Sequence, residues 1–508
     1  MFRSAPPRIP LYFLVNVAFA LLLGMGAVAS GYSNPRLFYL ILLFALCSAA
    51  IIDLDGLNGS YSLLALFMFV YFVSFGALDV INILVGNESV VSRDSEGLLS
   101  KAEAVILVSG VMWVIGFRTS VFIVRANRPT RVPKDWSKGS LLTVGLLFWA
   151  IGTIAKYRWN VYIQKDITNE AVRRALASID PLTTSAYILA QMCQPLGMLL
   201  LMYAFKVFRK PYLLIITIIV ILPQVFIGFV IDIKGEAMLG MILVIITSLL
   251  VDGRLPKTWL VLGALFVTFV YPYFTAYRSE IHGAGIARTT VVENFGKILQ
   301  KTIAAKDKIS SGPDHQGTFL ERANVKSSVE TIVAKTGNGV DFQHGHTLSP
   351  ILATFVPRIV WSDKQGVPTG QLFNHQFHLF DSDDIWVSPS HLGELYWNFG
   401  WPGAVFGMTL IGLICGWVGA GFALTEYRTV TRVLVVVITA KLLIVSFEGA
   451  IGDIYVGWLR IMAGIAVMHL TFARVPALSR SFRSIDGGQR AAIVDPIRSE
   501  RPFLNLLT

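Results

Sequence analysis

The chain has 508 residues, 54% of them hydrophobic and only 15% charged, and its mean hydropathy is +0.62. A soluble domain carries roughly 25% charged residues, so most of this surface does not face water, and length translates into membrane spans rather than soluble domains. The formal charge of +11 comes without a basic face interleaved with aromatics, which argues against nucleic acid; Lys and Arg collected in cytoplasmic loops explain it better.

Apolar runs long enough to cross a bilayer, ~20 residues each, recur about twelve times. They cover 11–30, 37–53, 61–86, 103–124, 139–156, 184–205, 212–231, 237–251, 258–275, 401–423, 433–449 and 455–473. The first follows Arg3 and Arg8 as a signal peptide would, but no small-residue cleavage site comes after it, so a retained span is expected. Arg125, Arg128, Arg131, Lys134 and Lys138 follow the fourth run; Lys206, Arg209 and Lys210 the sixth; Arg254 and Lys257 the eighth; Arg428 and Arg432 the tenth; Arg474, Arg480, Arg483 and Arg490 the last. With this count they all fall on one side, which places both termini in the cytoplasm; Arg36 falls on the other side.

The expected organisation is an all-α polytopic membrane protein. It has a membrane domain over 1–275, one large, mainly helical external loop over 276–400, further spans over 401–473 and a cytoplasmic tail over 474–508. A smaller external loop, 157–183, holds an amphipathic stretch from Ile167 to Leu176 with Thr168 as its cap; it suits a helix on the membrane surface or one packed on the large loop. Cys47, Cys193 and Cys415 lie in apolar runs without metal-ligand spacing, so neither a disulfide framework nor a zinc site is expected.

Within the large loop, 288–309 has the apolar spacing of an amphipathic helix and 326–335 that of a shorter one. A Gly- and His-rich segment runs from Gly337 to His346, and an apolar stretch over 348–360 is broken by Pro350 and Pro357. Such a short, proline-interrupted run fits a re-entrant segment or one packed under the membrane face.

Four cations stand at the expected external face: Lys234, Arg278, Arg358 and Lys364. Guanidinium and ammonium groups there suit a lipid-linked diphosphate, supplying donors for its oxygens and charge for a departing anion. The alternative is a set of snorkelling anchors or local ion pairs, Lys234 with Asp232 or Glu236 for example. Glu394 sits at the entry to the tenth run, where a carboxylate is costly unless used or paired. His391 is three residues away and shares its face on a helix. Either can take a proton from a sugar hydroxyl; the structural alternative is that Glu394 ties Arg358 and His391 is an ordinary loop residue. Asp381, Asp383 and Asp384, and His344, His346, His375 and His378, match no metal template. There is no phosphate-binding glycine loop and no nucleophile elbow.

Pro357-Arg358 with Trp361 and Lys364, followed by Gly393-Glu394-Leu395-Tyr396 and Asn398-Phe399-Gly400, resembles the bacterial oligosaccharide repeat-unit polymerases, the O-antigen polymerase (Wzy-type) family. The likeness covers motif-level text from about 230 to 403; the first half of the chain matches only in hydropathy. The chain departs from the family at Ser362-Asp363-Lys364, where proline often follows the tryptophan. The resemblance implies a membrane glycosyltransferase with a GT-C-like helical architecture in the bacterial inner membrane. It would join undecaprenyl-diphosphate-linked oligosaccharides, donor and acceptor alike, at the periplasmic face, with no nucleotide sugar, metal or other cofactor. Membrane lipids and a chain-length regulator protein are the further implied partners. Carried onto this chain, Arg278, Arg358, Lys364 and Lys234 hold diphosphates, Glu394 is the base with His391 in support, and Trp361, Tyr396, Trp397 and Asn398 contact sugar. An O-antigen ligase shares the donor chemistry and differs in its acceptor. A transporter is disfavoured by the single asymmetric loop and the lack of a repeated pair of broken helices.

Overall fold

A computed structural model describes residues 35–51, 62–77, 79–80, 99–126, 134–159, 181–208, 210–230, 234–252, 257–265, 292–298, 300, 325–354, 356, 367–379, 386–423 and 428–476. The first expected span, the 160–180 segment and the tail beyond 476 lie outside them.

The described residues are mostly helical. The helices are α1 (Pro35–Ile51), α2 (Ser62–Phe75), α3 (Lys101–Ala126), α4 (Lys138–Arg158), α5 (Pro181–Phe208), α6 (Pro211–Val230), α7 (Lys234–Thr247), α8 (Lys257–Leu265), α9 (Lys326–Lys335), α10 (Ser349–Ala353), α11 (Thr369–Phe377), α12 (Ser390–Gly421), α13 (Val430–Thr439) and α14 (Ile451–Phe472). π-helical turns extend α7 over Ser248–Asp252 and α13 over Ala440–Val445. Among the described residues, five helices are long and apolar enough to cross a membrane: α3, α4, α6, α12 and α14. Shorter apolar helices accompany them at Leu37–Ser48, Ser62–Phe75, Met192–Phe208 and Gly235–Val251.

Two features depart from the sequence reading. A small antiparallel ribbon pairs β1 (Lys134–Trp136) with β2 (Ala473–Pro476), short polar segments that periodicity does not announce. In addition, the tenth expected span, 401–423, is the second part of a helix that starts at Ser390. Gly400, with φ 62° and ψ −144°, kinks α12, a conformation glycine adopts without a Cβ penalty. Pro402 has no N–H to donate to the carbonyl four residues back. The carbonyls this leaves free are used by the chain beside them: Gln343 N–H donates to Trp397 O and His344 N–H to Asn398 O, both at 3.1 Å.

Without a hydrophobic driving force between helices in lipid, close packing of small residues takes over. A Cβ on Gly116 of α3 would stand 2.2 Å from Thr409 O of α12, and one on Gly412 would stand 2.2 Å from Trp113 O. The two helices therefore touch backbone to backbone, running parallel. Trp113 stacks on Phe67 of α2 with ring centroids 3.7 Å apart at the centre of the core.

The bundle has two distinct ends. At one, the β1–β2 ribbon joins the start of α4 to the end of α14. Asp135 Oδ1 accepts from Val430 N at 3.0 Å, and Thr429 Oγ1 accepts from Arg432 N, so the first turn of α13 is capped twice. The hydroxyl of Tyr203, near the end of α5, donates to Arg428 O. Lys134, Arg428, Arg432 and Arg474 all belong to this end. The starts of α3, α7, α12 and α14 lie at the other end, together with the finish of α4.

Candidate functional site

The site is built where α12 and α14 begin. Ser390, with φ 64°, turns its hydroxyl to accept from Gly393 N at 3.1 Å, the side-chain cap of a helix start. Ser390 N and His391 N donate to Glu448 O and Phe447 O at 3.1 and 3.0 Å, and Ser388 Oγ donates to Glu448 O as well. These bonds draw the turn that precedes α14 onto the start of α12. α9 packs alongside at Gly393, where a Cβ would meet Ile332 Cδ1 at 2.7 Å.

α14 has no side-chain cap of its own at Ala450. Glu394 serves instead: its Oε2 accepts from Ile451 N at 2.6 Å. An anion at a helix N-terminus is favoured by the exposed N–H groups and the helix dipole. Thr347 and Gly452 stand beside the carboxylate, and Asp453 faces it from the first turn of α14. Glu394 is fully buried, and among the described residues its Oε1 meets no donor in good hydrogen-bond geometry.

His391, three residues earlier on the same helix, is also fully buried, and among the described residues neither ring nitrogen has a partner. Its ring meets Phe447 and Tyr455 edge-on, with centroids 5.1 and 5.7 Å away. The Tyr455 hydroxyl is buried and unpartnered too. Buried polar atoms are nearly always satisfied; here a histidine, a carboxylate oxygen and a phenol stand open on adjoining helix starts.

Asn398 and Trp397 hold this site from below. The Asn398 amide donates to Thr347 Oγ1 at 2.7 Å and to Glu394 O at 2.8 Å, and its Oδ1 accepts from Gly345 N at 2.8 Å. It thereby fixes the Thr347 hydroxyl next to Glu394. Trp397 is fully buried against Phe373 and Phe377 of α11, with centroids 5.7 and 5.4 Å away. Tyr396 is buried, with Lys101 Nζ 5.8 Å above its ring. Of the aromatics near the kink, Phe399 is the exposed one, at 44%. Arg278, Arg358, Trp361 and Lys364 lie outside the described residues. Lys234 opens α7, and its side chain also lies outside them. The structure therefore brings together Glu394, His391, Trp397 and Asn398, with Tyr396 on the same helix.

Sequence reasoning missed two ionic clusters at this end. Lys326 of α9, 2% exposed, bonds Asp79, reaches Glu103 Oε1 at 3.0 Å and stands 4.2 Å over the Tyr39 ring. Lys156 of α4 pairs with Glu236 of α7, and Gln224 Nε2 of α6 donates to Glu236 Oε2 at 2.7 Å. The signal was in the text: Glu103 and Lys156 each lie at the edge of an apolar run, where a charge seeks a partner. Glu236 therefore has Lys156 as a partner. Among the described residues no group of three His, Cys, Asp or Glu side chains is placed to hold a metal. Compared with protein-family models, with curated proteins and with solved structures, the chain finds no match.

Proposed function

We propose that the protein polymerises undecaprenyl-diphosphate-linked oligosaccharide repeat units into a surface polysaccharide, at the periplasmic face of the bacterial inner membrane. The observation that carries this reading is the carboxylate of Glu394: one oxygen is held by Ile451 N–H, and the other is buried beside Thr347 and Gly452 with no hydrogen bond of good geometry among the described residues, with His391 one turn away. In the proposed step Glu394 Oε1 takes the proton of an acceptor sugar hydroxyl as that oxygen bonds the anomeric carbon of the donor. The bond from that carbon to the diphosphate breaks, and undecaprenyl diphosphate leaves with the electron pair. Positioning and charge stabilisation then dominate over covalent catalysis.

In this reading Arg278, Arg358, Lys364 and Lys234 hold the diphosphates and Trp361 contacts sugar. Tyr396, Trp397 and Asn398 carry the wall behind Glu394. The end of the bundle that carries Lys134, Arg428, Arg432 and Arg474 is cytoplasmic by the excess of positive charge, which makes the Glu394 end periplasmic. A chain-length regulator protein would meet the enzyme at that same face.

The test is polymer formation by the purified full chain from native undecaprenyl-diphosphate repeat units, with no nucleotide sugar present. A ladder of products is expected. No ladder, with transfer appearing only when a lipid A-core acceptor is added, would replace the polymerase by a ligase. No transfer to either acceptor would overturn the reading altogether.

A further inference from the structure

We infer that Trp386 is a stacking platform for a pyranose ring of the oligosaccharide, at a unit away from the bond being made. The inference deepens the polymerase reading and rests on it. Trp386 opens the non-helical stretch 386–389 that leads into α12, and 53% of it is exposed. A Cβ built on Gly370 of α11 would stand 2.3, 2.4 and 2.5 Å from Nε1, Cε2 and Cδ1 of Trp386. Three ring atoms at nearly one distance mean that the indole turns its face, not its edge, to the backbone of α11. A side chain at position 370 would occupy the ring's place. Val387 N–H donates to Gly370 O at 3.2 Å and fixes the chain just after the tryptophan. One face of the ring is sealed and the other open, which accounts for an exposure near one half. A ring already held in this way loses little further freedom when a ligand stacks on it.

The chemistry of the open face selects the ligand. An aromatic face is electron-rich and meets the C–H groups on the apolar side of a pyranose, whose hydroxyls stay in water around the rim. The other common role of a tryptophan near a membrane is an interfacial anchor, and the surroundings of Trp386 do not suit it. The ring lies on a nine-residue helix rather than on a span, and the exposed residues of that helix and its C-terminal turn, His375 and His378, are polar. The platform is tied to the candidate site from two sides. α11 packs through Phe373 and Phe377 on Trp397. The hydroxyl of Ser388 donates to Glu448 O, the carbonyl that also receives Ser390 N. Trp386 is four positions before Ser390, so their Cα atoms are at most about 14 Å apart. An oligosaccharide of a few units covers such a distance with its reacting hydroxyl at Glu394.

The probe is the repeat-unit oligosaccharide released by mild acid from native undecaprenyl-diphosphate repeat units. It is titrated into the full chain in detergent and followed by saturation-transfer NMR; the intact lipid-linked unit is then used in polymer formation. Trp386→Leu keeps an apolar cover on Gly370 and loses the aromatic face. Affinity for the released oligosaccharide should fall about tenfold in Trp386→Leu and in Trp386→Ala, and Trp386→Tyr should hold it within about threefold of the parent. In polymer formation, Trp386→Leu and Trp386→Ala should raise KM for the lipid-linked unit by about the same factor and leave kcat within about twofold, because a remote contact is made alike in the ground and transition states. A parent that forms no polymer overturns the polymerase reading and this inference with it. A parent that polymerises while Trp386→Leu and Trp386→Ala match its affinity and its KM overturns the platform alone.

Discussion

The two ends of the helix bundle handle buried polarity in opposite ways. At the ribbon end fixed pairs join the elements. Asp135 receives Val430 N and Trp136 N, Tyr203 donates to Arg428 O, and Thr431 meets His469 Nδ1 at 2.9 Å. Among the described residues Trp136 Nε1, Thr247 Oγ1 and Ser248 Oγ, the last two at the far end of α7, are buried without a partner. At the opposite end, His391, Glu394, Tyr455 and Gln224 are buried with atoms left open. Satisfied groups rigidify a fold, whereas open ones are costly to it. In the proposed reading the ribbon end is the structural floor of the protein and the other its working face.

The largest effect on stability is expected where the working face is satisfied by a buried charge. Lys326→Ala strands Asp79 and Glu103 without their cation, and breaking such a pair costs about 3–5 kcal/mol. Unfolding in detergent should show the loss, and Lys326→Met combined with Asp79→Asn and Glu103→Gln should recover most of it. If Lys326→Ala unfolds like the parent, the cluster does not hold α9 to the bundle.

Next in size is the crossing of α3 and α12, which spans both ends. Gly412→Ala places a Cβ against Trp113 O, and overpacking of this kind costs about 1–3 kcal/mol. Gly139→Ala, whose Cβ meets nothing within 4 Å, should stay within about 1 kcal/mol of the parent. Equal melting temperatures for the two variants would contradict the close crossing. A smaller loss, about 1 kcal/mol, is expected for Asp135→Ala, which removes one of the two caps on α13. Its effect should be confined to the ribbon end, as hydrogen exchange of the α13 amides would show.

How much of this was legible in the sequence follows from particular residues. Five of the long helices were, because apolar runs such as Leu213 to Val230 announce themselves through length alone. The helix over 326–335 was legible from its periodicity. The start of α12 was not: Glu394, Asn398, Gly400 and Pro402 carry the composition of a loop, and only the pairing of the Trp397 and Asn398 carbonyls with Gln343 and His344 shows why a helix tolerates them. Glu394 and His391 were singled out by position and type. Their relation to Ile451 and Tyr455 was not legible, since it joins residues more than fifty positions apart. The charges of the Lys326 and Lys156 clusters stood at the edges of apolar runs, but which residues they pair with was hidden for the same reason.

The measurement that bears most directly on the working face is turnover by Glu394→Gln. A glutamine keeps an oxygen for Ile451 N–H and nearly the same shape, so the helix cap survives and stability should change least of all these variants. It cannot take a proton, and loss of a general base lowers the rate by about 10²–10⁴-fold. Polymer formation from undecaprenyl-diphosphate repeat units should therefore fall by that factor in a variant that melts with the parent. A variant that polymerises at the parental rate would contradict the account and leave Glu394 as nothing more than the cap of α14.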